Sequence, residues 1–378
     1  MKYSFLSLLV LALILVSMSA TCAPNVPATP VSSAPKPAET VAPKPKMSDA
    51  WEKLVSDAQK ERQVSVYKGS PNLTRVAEGF KQKYGITLDI LTLNPAEIAE
   101  RMSRESRAGI AYNDVVITGY GGVRLLKPLG LIGALDDVIV LPEVLDKSKW
   151  LGGQFPMVDH YQVDFIGRVT SSLWINTEMV GPNEITQYRD LLNPRWKGKI
   201  VFDDPQASGA GTQWFRMYYP VLGDDYMKGL ISQEPVVIRD KRLEVEWLAR
   251  AKYPVLLAGN METLVEFKKA GSPIAAVRMK EGDYIGPGSG TVEMSSKPAH
   301  PSAAKLFINW LLTREAQTLV SQDNLLPSLR IDVPTDHLDA ETVPKPGMVY
   351  LADTLESIEK ANDFMATSAK IFAPILTK

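Results

Sequence analysis

The chain has 378 residues, 45% hydrophobic and 22% charged, values that exclude wholesale disorder and a polytopic membrane protein. Lys and Arg number 42 against 43 Asp and Glu, so a net charge of -1 offers no basic footprint for nucleic acid. A single cysteine excludes an internal disulfide and a cysteine-built zinc site, and three histidines are too few for a histidine-rich metal centre. No motif asks for a cofactor.

Lys2 precedes an apolar run, Phe5 to Val16, broken only by Ser7 and followed by small residues up to Cys22. Twelve helical residues span about 18 Å, short of the roughly 30 Å hydrocarbon core of a bilayer. Residues 1–21 therefore read as an export signal. Cys22 stands where a bacterial lipoprotein signal places its lipidated residue, although Ser19 and Thr21 replace the Leu and the Gly or Ala usual there. Plain cleavage near Ala20 or Ala23 is the alternative. Residues 22–46 carry seven prolines, a composition that favours extended polyproline II and makes the segment a tether. Together these imply a body held to a membrane through a lipid anchor.

From residue 48 the pattern alternates. Ser48 is placed to cap a helix with apolar positions Trp51, Leu54, Val55 and Ala58, followed by a strand at 63–67. A second helix (Leu73, Val76, Phe80) leads to a strand near 86–91. Asn94-Pro95 opens a third helix, which Gly109 ends, and 114–117 form a short buried strand closed by the loop 118–122. This alternation predicts an α/β fold with mostly parallel pairing and helices on both faces of the sheet. Ligands sit beyond the carboxyl ends of such strands, so the loops 68–72 and 118–122 converge on one crevice.

The stretch 163–175 is long for one strand and is broken by Gly167 and Arg168, which predicts a crossing between two lobes. A second crossing is expected near 273–279. Between them lie strands at 199–202 and 253–257 and helices near 211–219 and 243–251. The expected division is a first lobe from 47–165 and 275–330, a second lobe from 166–274, and a C-terminal helical extension, 331–378, packed on the outside. Asp353, Leu355, Ile358 and Ala361 mark a helix in that extension.

Three pieces in order carry a resemblance: Tyr188 to Ile200 with Asp203-Asp204-Pro205 behind it, Ser208-Gly-Ala-Gly-Thr212, and Ala299 to Thr313 followed by Ala316-Gln317. Over residues 48 to 330 the chain resembles bacterial extracellular solute-binding proteins of family 1, the type 2 periplasmic receptors of ABC importers, which include ferric-ion binders. The resemblance implies two lobes joined by hinge strands, each a mixed, mostly parallel sheet flanked by helices. It also implies a monomer that binds a small-molecule or ionic solute between the lobes and presents it to an ABC permease. The residues mapped to that role are Ser70, Asn72, Thr118 and Tyr120 from the first lobe, Ser208, Gly209, Gly211, Thr212 and Asn260 from the second, and Ser171 and Ser172 near the hinge.

Among these, the Gly-rich turn 208–212 opens a helix, where unpaired amides and the dipole favour an anion. Ferric binders of the family present adjacent tyrosines after the lobe-two strand, where this chain has Asn260 and Met261. Tyr218-Tyr219 falls inside a helix pattern and reads as packing. Hydroxyls and helix-end amides point to an oxyanion such as a phosphonate, phosphate ester or carboxylate, with iron carried alongside an anion as the other form. A secreted hydrolase is the weaker alternative: Gly286-Pro-Gly-Ser-Gly290 lacks the spacing of a nucleophile turn, and His160 beside Asp159 has no identifiable nucleophile. A surface sensor or adhesin using the same two-lobe body is a third class.

Overall fold

The computed structural model describes residues 49–110, 113–120, 122–206, 209–286, 288, 290–345 and 347–376. The export signal, the tether with Cys22, the capping residue Ser48, and Ser208 lie outside the described residues. Among the described residues, no helix is long and apolar enough to cross a membrane.

The first sheet has seven strands: β1 (Gln63–Lys68), β2 (Thr87–Thr92), β3 (Val115–Ile117), β4 (Ile132–Gly133), β5 (Met157–Val158), β6 (Gln162–Asp164) and β14 (Thr291–Ser295). Its order is β2-β1-β3-β14-β6-β5, with β4 paired to β14. β1 runs parallel to β2 and β3, as alternation with helices requires, whereas β14 returns antiparallel from the distal part of the chain. α1 (Asp49–Glu61), α2 (Thr74–Tyr84), α3 (Pro95–Arg107), α4 (Pro142–Leu145), α8 (Pro301–Leu311) and α9 (Arg314–Asn324) belong to this lobe. Asn94 closes a capping box with Glu97 around Pro95 at the first turn of α3, which is why the helix starts there. One face of the sheet meets Phe80, Phe307 and Trp310; the other carries Tyr67, Ile98, Met102 and Leu126.

The second sheet has the order β10-β9-β11-β8-β12, from β8 (Leu173–Asn176), β9 (Ile200–Asp203), β10 (Val236–Ile238), β11 (Val255–Leu257) and β12 (Ile274–Val277). It is packed by α5 (Ala210–Ser232), α6 (Lys241–Ala249) and α7 (Met261–Lys269). All four residues of β12 pair with β8, which carries this sheet past the boundary expected at 274/275. α5 extends well beyond the helix expected at 211–219 and runs through Pro220 with a non-helical Gly223.

The long apolar stretch is three short strands in three different sheets. β6 belongs to the first sheet, between β14 and β5; β7 (Arg168–Thr170) joins β13 (Asp283–Gly286) and β15 (Tyr350–Leu351) in a small third sheet; and β8 belongs to the second, between β11 and β12. The return crossing runs through β13 and lies later than the expected 273–279. Here the two connectors touch: Phe165 and Ile166 both donate backbone N–H to Gly290 O, and a Cβ on Gly290 would sit 2.4 Å from Ile166 Cβ. Gly290, in the stretch whose spacing does not fit a nucleophile turn, is thus a position where the close approach of Ile166 demands glycine.

The C-terminal extension is not an outer appendage. After β15 come α10 (Leu355–Glu359) and α11 (Ala361–Leu376), and α11 packs along α5. Phe372 is fully buried against Phe202 and Phe215, so the last helix completes the core of the second lobe. The amphipathic pattern was legible; what it packed against was not.

Candidate functional site

A cleft of about 260 Å³ lies at the carboxyl ends of the first sheet's strands and faces the start of α5. From the first lobe, Tyr120 and Arg124 line it, one in the loop after β3 and the other in a π-helical turn over Gly122–Leu126. From the second lobe come Gly209, Thr212, Gln213 and Arg216, whose spacing of three, four and seven residues puts them on one face of α5. A third wall is built by Ile358, Ala361, Asn362 and Met365 of α10 and α11.

Three of the residues expected from sequence, Tyr120, Gly209 and Thr212, are thereby brought to one cavity. Ser172 lies in a narrower pocket next to it, beside Thr170, Gln213 and Tyr284, and its hydroxyl donates to the Tyr218 hydroxyl over 3.2 Å. Ser171 is buried, and its hydroxyl has no hydrogen-bond partner among the described residues. Thr118 is buried behind the Tyr120 loop, with its hydroxyl turned to Gly119 O. Ser70 is exposed in the bend after β1 and is not among the residues lining the cleft.

Two expected contacts are corrected by their geometry. Asn72 accepts from the backbone and hydroxyl of Thr74 at the start of α2, while its own backbone exchanges hydrogen bonds with Asn324 of α9. Asn260 is the N-cap of α7, accepting from Thr263 N and Thr263 Oγ1, and its own N–H goes to Glu244. Both side chains are spent on helix starts, the commonest use of Asn at such positions.

The helix-end anion site also changes. Asp203, at the end of β9, turns its carboxylate under α5 and accepts from Gly211 N at 2.7 Å. The protein's own carboxylate therefore occupies the amides that an incoming anion would have used. Burial raises the Asp203 pKa, and the amide hydrogen bonds oppose that rise. Gly211 is forced to be glycine, because a Cβ there would lie 2.2 Å from Asp203 O. Asp204 pairs with Arg239 at 2.5 Å and caps the turn at Gln206, so neither acid faces the cleft as a free cation ligand.

The polar groups that do face the cleft were mostly missed. Arg216 Nη2 pairs with Asp353 at 2.8 Å, and its buried Nε–H has no partner among the described residues. Tyr284 donates to Asp353 over 3.1 Å, and Tyr120 donates to Asp164 over 3.3 Å. Burial pushes both phenols up, so each stays a neutral donor at physiological pH. Asp164 is pushed up to about 7 by burial, against hydrogen bonds from Gln162 and Tyr120 that lower it. Arg216 could have been found in the sequence, four residues after Thr212 on the same helical face. Asp353 and Tyr284 reach the site only through the third sheet, for which no sequence signal existed.

The Tyr218-Tyr219 pair does not converge on a ligand: Tyr218 is buried and donates to Gly282 O, whereas Tyr219 bonds Asp224 on the surface. Among the described residues no group of three or more His, Cys, Asp and Glu side chains could hold a metal ion.

Comparison with known proteins agrees with this architecture. A curated protein of Haemophilus influenzae described as uncharacterized is 26% identical over 153 residues, and the match spans 38% of this chain and 43% of that protein. Among solved structures, the Trichodesmium protein described as IdiA or FutA in complex with iron and citrate aligns with a TM-score of 0.61. It is 16% identical, over 83% of this chain and 99% of that one. Iron-bound HitA from Pseudomonas aeruginosa aligns at 0.58 with 17% identity, covering 82% and 99%. AfuA from Actinobacillus pleuropneumoniae, with fructose-6-phosphate bound, aligns at 0.53 with 19% identity, covering 83% and 98%. The two-lobe fold is thus that of periplasmic binding proteins. The model of the family described as bacterial extracellular solute-binding protein matches residues 64–323, more than half of the chain and including most strands of both lobes, so the chain belongs to this family.

Proposed function

We propose that the protein is an extracytoplasmic receptor that binds a small oxyanion, a phosphonate, phosphate ester or carboxylate, between its lobes and delivers it to an ABC permease. Family members bind solutes rather than transform them. The observation that carries the anion reading is the pair of guanidiniums, Arg124 from the first lobe and Arg216 from the second, on one cleft of about 260 Å³. Guanidinium forks suit carboxylate and phosphate oxygens, and the neutral Tyr120 hydroxyl, Thr212 and Gln213 can complete the shell. An anion that touches both arginines favours the closed arrangement of the lobes, because it binds that state better than the open one.

Iron carried together with an anion is a second reading. It is favoured by the iron- and citrate-bound Trichodesmium protein of the same fold and by the Tyr120 hydroxyl on the cleft wall; Asp164 and Asp353 lie buried behind that wall as partners of Tyr120 and Arg216.

The test is thermal unfolding and calorimetry against inorganic phosphate, sulfate, citrate, fructose 6-phosphate and ferric citrate. A bound anion at one hundred times its Kd should stabilise the body by about 2.7 kcal/mol. Arg124→Gln should weaken that binding by about tenfold or more, the worth of a charged hydrogen bond. No response across the panel would overturn the anion reading; a response to ferric citrate alone would favour the second.

A further inference from the structure

The segment after residue 349 lies beyond the family match at 64–323, yet it walls the cleft. It is pinned at two places. At the first, the Asp353 carboxylate is fully enclosed: Oδ2 accepts from Arg216 at 2.8 Å and from Tyr284 at 3.1 Å, and Oδ1 accepts from Ser357 at 2.8 Å. At the second, Ser368 donates to Pro205 O at 2.7 Å and Phe372 is buried in the second lobe. Between the pins most side chains are exposed; Ile358 is the buried exception, and Met365 is both exposed and part of the cleft wall. The segment is thus held at its ends, and its middle touches the body mainly through Ile358 and through Phe364, which packs against the second lobe's core.

We propose that residues 354–365 are a strap across the cleft and that Asp353 is its latch. The latch works by supplying an internal anion to Arg216. Three donors from α5, β13 and α10 converge on one carboxylate, so loss of its charge frees the amino-terminal pin while the carboxy-terminal pin stays fixed. The strap then swings about the Ser368 anchor. Resting on the proposed function, a solute anion that reaches Arg216 competes with Asp353 for the same guanidinium, so binding and strap release are one exchange of ion pairs. Asp353 is in this sense a positioning residue and an intramolecular competitor.

The experiment is hydrogen exchange by mass spectrometry on the full chain, without added anion, comparing the unmodified protein with Asp353→Asn. Exchange over 354–365 should rise about tenfold or more while the β8 to β12 sheet is unchanged; equal rates in the strap would overturn the latch. If Asp353→Asn fails to fold, Tyr284→Phe, which removes one bond to the same carboxylate, should speed strap exchange in the same direction, and no change there would overturn it equally. Citrate and inorganic phosphate are then titrated: Asp353→Asn should bind the productive anion about tenfold more tightly, and weaker or equal binding would overturn the competition. If no anion of the panel given under the proposed function binds either protein while strap exchange still rises, the latch is supported and the oxyanion reading falls.

Discussion

Gly211→Ala sets two opposing effects against each other at the start of α5. Alanine is the better helix former by about 1 kcal/mol, so propensity alone predicts a more stable protein. The added Cβ, however, would stand 2.2 Å from Asp203 O and 2.8 Å from the carbonyl carbons of Asp203 and Asp204. These are backbone atoms at the end of a buried strand and have no rotamer to escape into. Restoring van der Waals contact requires α5 to retreat by about 1 Å, an overpacking that costs about 1–3 kcal/mol. The same movement stretches the 2.7 Å bond from Gly211 N to Asp203, and a hydrogen bond to a charged group is worth about 1.5–3 kcal/mol. The steric and polar losses exceed the propensity gain, leaving a net destabilisation of about 2–4 kcal/mol. At about 2 °C per kcal/mol for a body of this size, the melting temperature should fall by about 4–8 °C. Because Thr212, Gln213 and Arg216 ride on the same helix, anion affinity should fall as well. Differential scanning calorimetry decides the matter: an unchanged or higher melting temperature would mean that the contact with Asp203 is not the constraint argued here.

Three further outcomes follow from the packing. The folded-state pKa of Asp164, raised to about 7 by burial, lies above its unfolded value, so the folded protein holds this proton more tightly. Stability from this group is therefore full below about pH 4 and declines as pH rises to about 7, by at most about 4 kcal/mol. Asp164→Asn should consequently be near neutral at pH 4 and stabilising at pH 8 in urea titrations; equal effects at both would refute the shift. Asn260→Ala should cost about 1 kcal/mol by uncapping α7 and leave anion affinity unchanged, whereas a large loss of affinity with no loss of stability would restore it to the site. Phe372→Ala should destabilise the protein by about 3–5 kcal/mol, read by urea denaturation, because the ring is enclosed by Phe202 and Phe215; a surface-like effect under 0.5 kcal/mol would return α11 to the outside.

Local rules carried the first lobe far. Asn94-Pro95 and Glu97 announce the start of α3 because a cap needs only neighbouring residues, and the alternation of helix and strand is enough to imply parallel pairing. The seam between the lobes was less legible. A run such as 163–175 has the same apolar content whether it is one strand or three, and only the partners of each piece separate β6, β7 and β8. In the site, Tyr120, Gly209 and Thr212 were recoverable because they sit in glycine-rich loops at strand ends. The capping asparagines misled for the same local reason: Asn in a turn before a helix fits a ligand or a cap equally well until the donor of Thr74 or Thr263 is seen. Asp203 showed the converse, since an acid that satisfies a helix start from eight residues away leaves no trace in spacing.

The lock between Ser368 and Pro205 joins points 163 positions apart, and Phe372 closes the same region. Native contacts of such long sequence separation slow folding, since chain entropy must be lost before they form. The second lobe consequently cannot finish assembling until the final two dozen residues are free to join it.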